Sequence, residues 1–209
     1  MTYKNCVVTG CGRSGTRYAS VLLSRLGLPC GHQKSIRSQK PGIPSSMEKP
    51  AEASAFAAPF VMDIPDTWLL IHQVRHPLKV VDSLIRLRHL PSQHQFTGHN
   101  FYKRYVPTSQ GYSHLPDEAL YIWMEWNRLI LKASTRRNYR RHRIEDGLYP
   151  WELYSSELGL KWNLEIANSV SKTEGSGGGC PQEFEWSCFR NEKLRLDAQC
   201  FAAMLGYSS

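Results

Sequence analysis

Two groups of side chains in this 209-residue chain have the types and spacing to hold an anion. The first is Gly10, Gly12, Arg13, Ser14, Gly15 and Thr16, set between the β-branched run Val7-Val8-Thr9 and an apolar-periodic stretch over 18–28. Glycines let the backbone come close to a ligand, and the first turn of a helix leaves N–H groups unpaired at the positive end of its dipole. Arg13 adds a fixed charge there, and the Ser14 and Thr16 hydroxyls either reach the same oxyanion or cap the helix. The second group is Arg75, which follows the apolar run Trp68 to Val74, with Ser83 about two turns into the segment that starts at Pro77. The chemistry expected is phosphate or sulfate binding; the alternative for the first group is a tight strand-to-helix connection.

What the two groups lack narrows the ligand. A Walker loop needs Gly-Lys-Ser/Thr after a longer glycine spacing, and a strand ending in an acidic residue to hold Mg²⁺. Here the strand ends in Arg75-His76-Pro77, so the chain offers cations and no metal ligands to its anion. The spacing of Gly10, Gly12 and Gly15 also matches a dinucleotide fingerprint, but no acidic residue ends a following strand.

The elements that must position these groups read as α/β. Strand, loop and helix over 5–28 and again over 68–90 predict a three-layer sheet of about four or five parallel strands flanked by helices, with the Val7 and Leu70 strands near its centre. In such sheets ligands bind outside the carboxyl ends of the strands, so both groups should face one crevice. A helix end and a short strand or extended loop are expected over Gly27 to Gln33. Residues 34–59 read as a mobile loop with a short helix near Ala51 to Ala58, and 89–115 as irregular. Helices are expected over 116–133, 150–158, 161–171 and 191–205, the first with Trp123, Trp126 and Leu129 on one core-facing side. Residues 172–182 form a glycine-rich loop, and the whole of 1–209 is one domain.

A net charge of +8 suggests an anionic partner. The basic run Arg136 to Arg143 is either a polyanion patch or a solvated helix end and strand; its shortness and lack of interleaved aromatics favour the latter. Glu145 just beyond it reads as half of a structural ion pair. The six cysteines, Cys6, Cys11, Cys30, Cys180, Cys188 and Cys200, contain no CxxC pair, which argues against zinc; Cys6 and Cys200 read as apolar filler. The first strand begins at the amino terminus and no apolar run reaches membrane-spanning length, so the expectation is a soluble, cytoplasmic, reduced protein.

The paired motifs resemble those of sulfotransferases that use 3′-phosphoadenosine 5′-phosphosulfate (PAPS). Gly10-x-Gly12-Arg13-Ser14-Gly15-Thr16 is similar to their 5′-phosphosulfate loop, and Arg75-His76-Pro77 with Ser83 to their 3′-phosphate motif. Trp123-Met124-Glu125-Trp126-Asn127 and Arg141-His142-Arg143-Ile144-Glu145-Asp146 are similar to segments of small bacterial members, and the likeness fades after about residue 147. The resemblance implies a P-loop-like sulfotransferase fold that moves a sulfuryl group from PAPS to a hydroxyl or amine of a carbohydrate or small metabolite. PAP (3′-phosphoadenosine 5′-phosphate) would be the product, and no metal would be required. It places Gly12, Arg13, Ser14, Gly15 and Thr16 on the 5′-phosphosulfate and Arg75 and Ser83 on the 3′-phosphate.

The implied general base is where the chain departs from the family. Small bacterial members carry Gly-His-Glu after the first helix; this chain has Gly31-His32-Gln33, and glutamine cannot take a proton. His32 is the first candidate, Glu48 the second and His72 the third. Two other readings stay open: a nucleotide-binding module without catalysis, and a basic nucleic-acid-binding protein.

Overall fold

Both apolar runs form strands, and they lie side by side. The computed structural model describes residues 2–39, 41–45, 47–93, 99–170 and 182–208. Five strands, β1 (Asn5–Thr9), β2 (Cys30–His32), β3 (Ala51–Ala53), β4 (Trp68–Val74) and β5 (Tyr139–Arg143), pair in the order β2-β3-β1-β4-β5. Every neighbouring pair is parallel, and Val7 lies opposite Leu70. The two strands that carry the anion groups are therefore adjacent, and their carboxyl ends open onto the same edge of the sheet.

The helices are α1 (Thr16–Arg25), α2 (Pro77–Arg86), α3 (His99–Tyr105), α4 (Leu115–Leu131), α5 (Tyr149–Glu157), α6 (Leu164–Asn168) and α7 (Glu192–Met204). Alternation along β1 and β4 sorts them into two layers, as side chains on a strand point to opposite faces. Cys6, Val8, Leu69 and Ile71 pack with α1, α5 and residues Ala167 and Val170. Val7, Leu70 and Val74 pack with α2, α4 and α7. β4 is buried at all seven positions, the polar His72 and Gln73 included, as a central parallel strand covered on both faces is. Among the described residues no helix is long and apolar enough to cross a membrane.

Several expectations are corrected. The segment 34–59 is not loop throughout: β3 is inserted between β2 and β1, and a 3-10 segment, Ala55–Asp63, stands where a helix was expected over 51–58. The irregular stretch 89–115 contains α3, and the helix expected over 161–171 is only α6. Glu145 is engaged by hydrogen bonds, from the His76 backbone N–H at 3.1 Å and the Tyr207 hydroxyl at 3.0 Å. Cys200 is exposed on α7 rather than buried, Cys6 is buried, and Cys180 lies outside the described residues. Of the glycine-rich stretch only Gln182 is described; its backbone N–H donates to Asp82 of α2 at 2.9 Å.

The basic run is mostly consumed in ion pairs. Arg136 bonds Asp66 at 2.6 Å, Arg140 bonds Glu157 at 2.5 Å and Arg143 bonds Asp146 at 2.6 Å. These pairs tie β5 and the turn before it to neighbouring elements, as expected of a structural rather than a polyanion-binding run.

Candidate functional site

The loop between β1 and α1 is shaped by close approaches. A Cβ on Gly10 would run into the Gln73 carbonyl, and one on Gly12 into the Tyr102 hydroxyl. Gly15, at φ 84°, is in the left-handed region that suits glycine, and Arg13 shares that region at φ 73°. Left-handed backbone in a non-glycine residue costs of order 1–3 kcal/mol and persists only where its surroundings fix it. Gln73 supplies one such restraint by donating its side-chain amide to the Ser14 carbonyl. The α1 N-terminus has no side-chain cap and no acidic residue in its first turn, so it stays open to an anion. Ser14 is fully buried and its hydroxyl has no hydrogen-bond partner among the described residues, a cost that an oxyanion in the loop would remove.

The second group meets the first directly. Arg13 donates its Nε–H to Ser83 Oγ at 2.9 Å, and Arg75 donates a guanidinium N–H to the Arg13 carbonyl at 3.0 Å. Burial, then the charges of Arg75 and Arg86, pushes the Arg13 pKa down. Three guanidiniums thus converge at the carboxyl ends of β1 and β4, and a multiply charged anion is the ligand that relieves their repulsion. Arg86 lies one turn beyond Ser83 on α2 and is held by Asp82 at 3.4 Å.

His32 is brought to this edge and Glu48 is not brought with it. His32 Nε2 lies 3.4 Å from Thr16 Oγ1 at the start of α1. Its pKa falls to about 4, first through burial and then through Arg17, Arg13 and Lys34, so the imidazole is neutral at pH 7. Glu48 is exposed; its backbone N–H donates to Ser35 Oγ at 3.3 Å, and its charge bears on Glu52. His72 is fully buried in the sheet with both ring nitrogens hydrogen-bonded, which removes it from the candidates for a base.

Four further features around the loop carry no local sequence signal. Gln73 braces the anion loop from the next strand. Tyr102 of α3 is 2 % exposed and its phenol oxygen is hydrogen-bonded to the Gly12 backbone, which ties the irregular stretch to the loop. His89 is held neutral, at about 4, by burial and by Arg13. Glu52 is buried in β3, opposite Gly31 in register, and accepts from the backbone N–H groups of Lys34 at 2.6 Å and Ser35 at 3.2 Å. A Cβ on Gly31 would run into that carboxylate, and burial raises its pKa. Of the carboxylate closest in register to the Gly31-His32-Gln33 turn, Oε1 is therefore committed to the backbone that follows, while Oε2 is buried with no hydrogen-bond partner among the described residues.

No family model and no curated protein matches the sequence. Among solved structures, the chain is similar to mouse sulfotransferase SULT7A1 complexed with PAP, at 13 % identity and a TM-score of 0.55, over 99 % of this chain and 84 % of that one. It also aligns with a sulfotransferase from Alicyclobacillus acidocaldarius at 13 % identity and a TM-score of 0.48, over 98 % and 93 % of the two chains. The chain thus has the α/β sulfotransferase fold, with its five-stranded parallel sheet between helices.

Proposed function

We propose that the protein transfers a sulfuryl group from PAPS to a hydroxyl or amine acceptor. The observation that carries the reading is the junction of Arg13, Arg75 and Ser83, where a phosphosulfate loop and a 3′-phosphate motif far apart in sequence meet through two hydrogen bonds. The PAP complex of the mouse structure supports the same donor. The donor would supply an activated sulfuryl group, its phosphosulfate S–O bond breaking to release PAP as the acceptor oxygen or nitrogen bonds to sulfur.

This chain's residues supply positioning and charge. Gly12 to Thr16 and the α1 N-terminus hold the 5′ end, with the orphaned Ser14 hydroxyl donating to it, and Arg13 neutralises charge growing on the leaving oxygen. Arg75 and Ser83 hold the 3′-phosphate, which separates this nucleotide from those lacking it. His32 takes the acceptor proton, its neutral form being favoured by burial and by the cations around it. Glu48 is the alternative base if the segment that carries it closes on the acceptor.

A second reading, a PAP-binding module without turnover, is favoured by Gln33 at the position where small bacterial relatives carry glutamate. One experiment separates the two: transfer from ³⁵S-labelled PAPS to a panel of sugars, phenols and amines, alongside calorimetric titration with PAP. Labelled product inhibited by PAP supports transfer. Tight PAP binding with no product on any acceptor supports the module, and failure to bind PAP refutes both.

A further inference from the structure

A buried line of hydrogen bonds runs in one direction from the edge strand to the anion loop. Asn127 donates Nδ2–H to the Trp123 carbonyl at 2.7 Å, which leaves its Oδ1 as the acceptor for His72 Nε2 at 2.8 Å. His72 is therefore protonated on Nε2, and its bare Nδ1 accepts the Tyr139 hydroxyl at 2.7 Å. Trp123 passes its indole N–H to the Arg75 carbonyl at 3.1 Å, and Arg75 passes a guanidinium N–H to the Arg13 carbonyl at 3.0 Å. His72, Trp123 and Asn127 are fully buried.

Packing alone does not call for this arrangement. An indole in an apolar core needs one acceptor for its N–H, and any carbonyl would serve. Here the acceptor is the carbonyl one residue past the last β4–β5 pair, Val74 with Arg143, where the ladder no longer restrains the chain. The end of β4 is also where Arg75 leaves the sheet. At Trp123 and at Arg75 the line passes through covalent structure: Asn127 and the indole each restrain a main-chain carbonyl, and the side chain of the same residue makes the next bond.

We infer that Trp123 and Asn127 are positioning residues for Arg75, holding its guanidinium at the distance from the phosphosulfate loop that a nucleotide with both a 5′ and a 3′ anion requires. The inference rests on the PAPS reading, and its test keeps the two apart. Wild type and Trp123→Phe, which keeps an aromatic ring and removes the N–H, are titrated calorimetrically with PAP and with adenosine 5′-phosphosulfate, which lacks the 3′-phosphate. The expected result is PAP binding about five- to twentyfold weaker, adenosine 5′-phosphosulfate binding within about twofold of wild type, and less than about twofold further loss when the change is added to Arg75→Ala. Equal weakening of both ligands, or losses that multiply with Arg75→Ala, overturns the inference while leaving the PAPS reading intact. Wild type that binds PAP no better than adenosine 5′-phosphosulfate overturns both. If circular dichroism shows Trp123→Phe to be unfolded, Tyr139→Phe at the outer end of the line is used: about two- to fourfold loss for PAP alone is expected, and equal loss for both ligands overturns the inference.

Discussion

Lowering the pH from about 7.5 to about 5 should cost this protein about 4 kcal/mol of folding stability through two histidines alone. His142 of β5 is 4 % exposed, lies against Trp151 and Tyr154 of α5 at 5.1 and 5.5 Å between ring centroids, and has no hydrogen-bond partner at either nitrogen among the described residues. Burial pushes its pKa down to about 4, and burial pushes His72 down to about 3 against the opposing hydrogen bond to Asn127. In the unfolded chain each returns to ~6.5. Both folded values are lowered, so the stability present above ~6.5 drains away as the pH falls through the window below it, because the unfolded chain takes up protons that the folded chain refuses. At 1.36 kcal/mol per decade, each histidine costs about 2 kcal/mol at pH 5, against a total stability of about 5–15 kcal/mol for an ordinary domain. Urea unfolding followed by tryptophan fluorescence between pH 7.5 and 5 measures these two contributions together with those of His32 and His89, which are lowered to about 4 as well. His142→Phe keeps the aromatic stack and removes the unpartnered nitrogens, so it should recover about 2 kcal/mol at pH 5 and flatten the pH dependence by about one proton. Parallel curves for wild type and His142→Phe would refute the argument, since carboxylates that also titrate in acid are common to both.

Three further outcomes concern the site. Arg75→Ala should weaken PAP by about ten- to a hundredfold, the loss of about 1.5–3 kcal/mol from one charge-assisted contact, and adenosine 5′-phosphosulfate far less; calorimetry that finds equal losses would assign Arg75 to the fold or to the other anion. Arg13→Ala should lower kcat by about 10²–10³-fold and raise the KM for PAPS with every acceptor, and an effect confined to one acceptor would move Arg13 out of the donor site. His32→Ala should leave PAP affinity nearly unchanged and lower kcat by about 10²–10⁴-fold. Because burial and neighbouring cations lower its pKa to about 4, the acid limb of wild-type kcat/KM should fall near that value. A limb near ~6.5 that survives His32→Ala would place the base elsewhere.

The parts of the site written in contiguous residues were legible: the glycine loop, the strand ending in Arg75, and Ser83 two turns on are local patterns, and the parallel pairing of β1 with β4 brings them together. β3 was not, because Ala51-Glu52-Ala53 has no strand propensity of its own and is a strand only through its neighbours on both sides. Gln73 and Tyr102 looked like ordinary core or loop residues, and each acquires its role from a partner far away in sequence, Ser14 for the one and Gly12 for the other. The pKa of His32 was equally out of reach, since an ordinary value of ~6.5 describes an exposed imidazole and this one is set by burial and three cations. Trp123 was read correctly as core, but a core residue can also spend its one polar atom on a site.

β5 is an edge strand of the sheet, and much of its outward backbone is already bonded within its own chain: the Tyr139 N–H donates to the Arg136 carbonyl, the Tyr139 carbonyl accepts from the Arg140 guanidinium and the Arg143 N–H donates to Asp146. The sequence of that strand, Tyr139-Arg140-Arg141-His142-Arg143, bears a guanidinium at three of five positions. Two copies brought edge to edge would face like charges that have lost solvent, and Arg140 and Arg143 are in addition held by carboxylates of their own chain. Charge and an internally bonded backbone thus both oppose the addition of a second strand at this edge of the sheet.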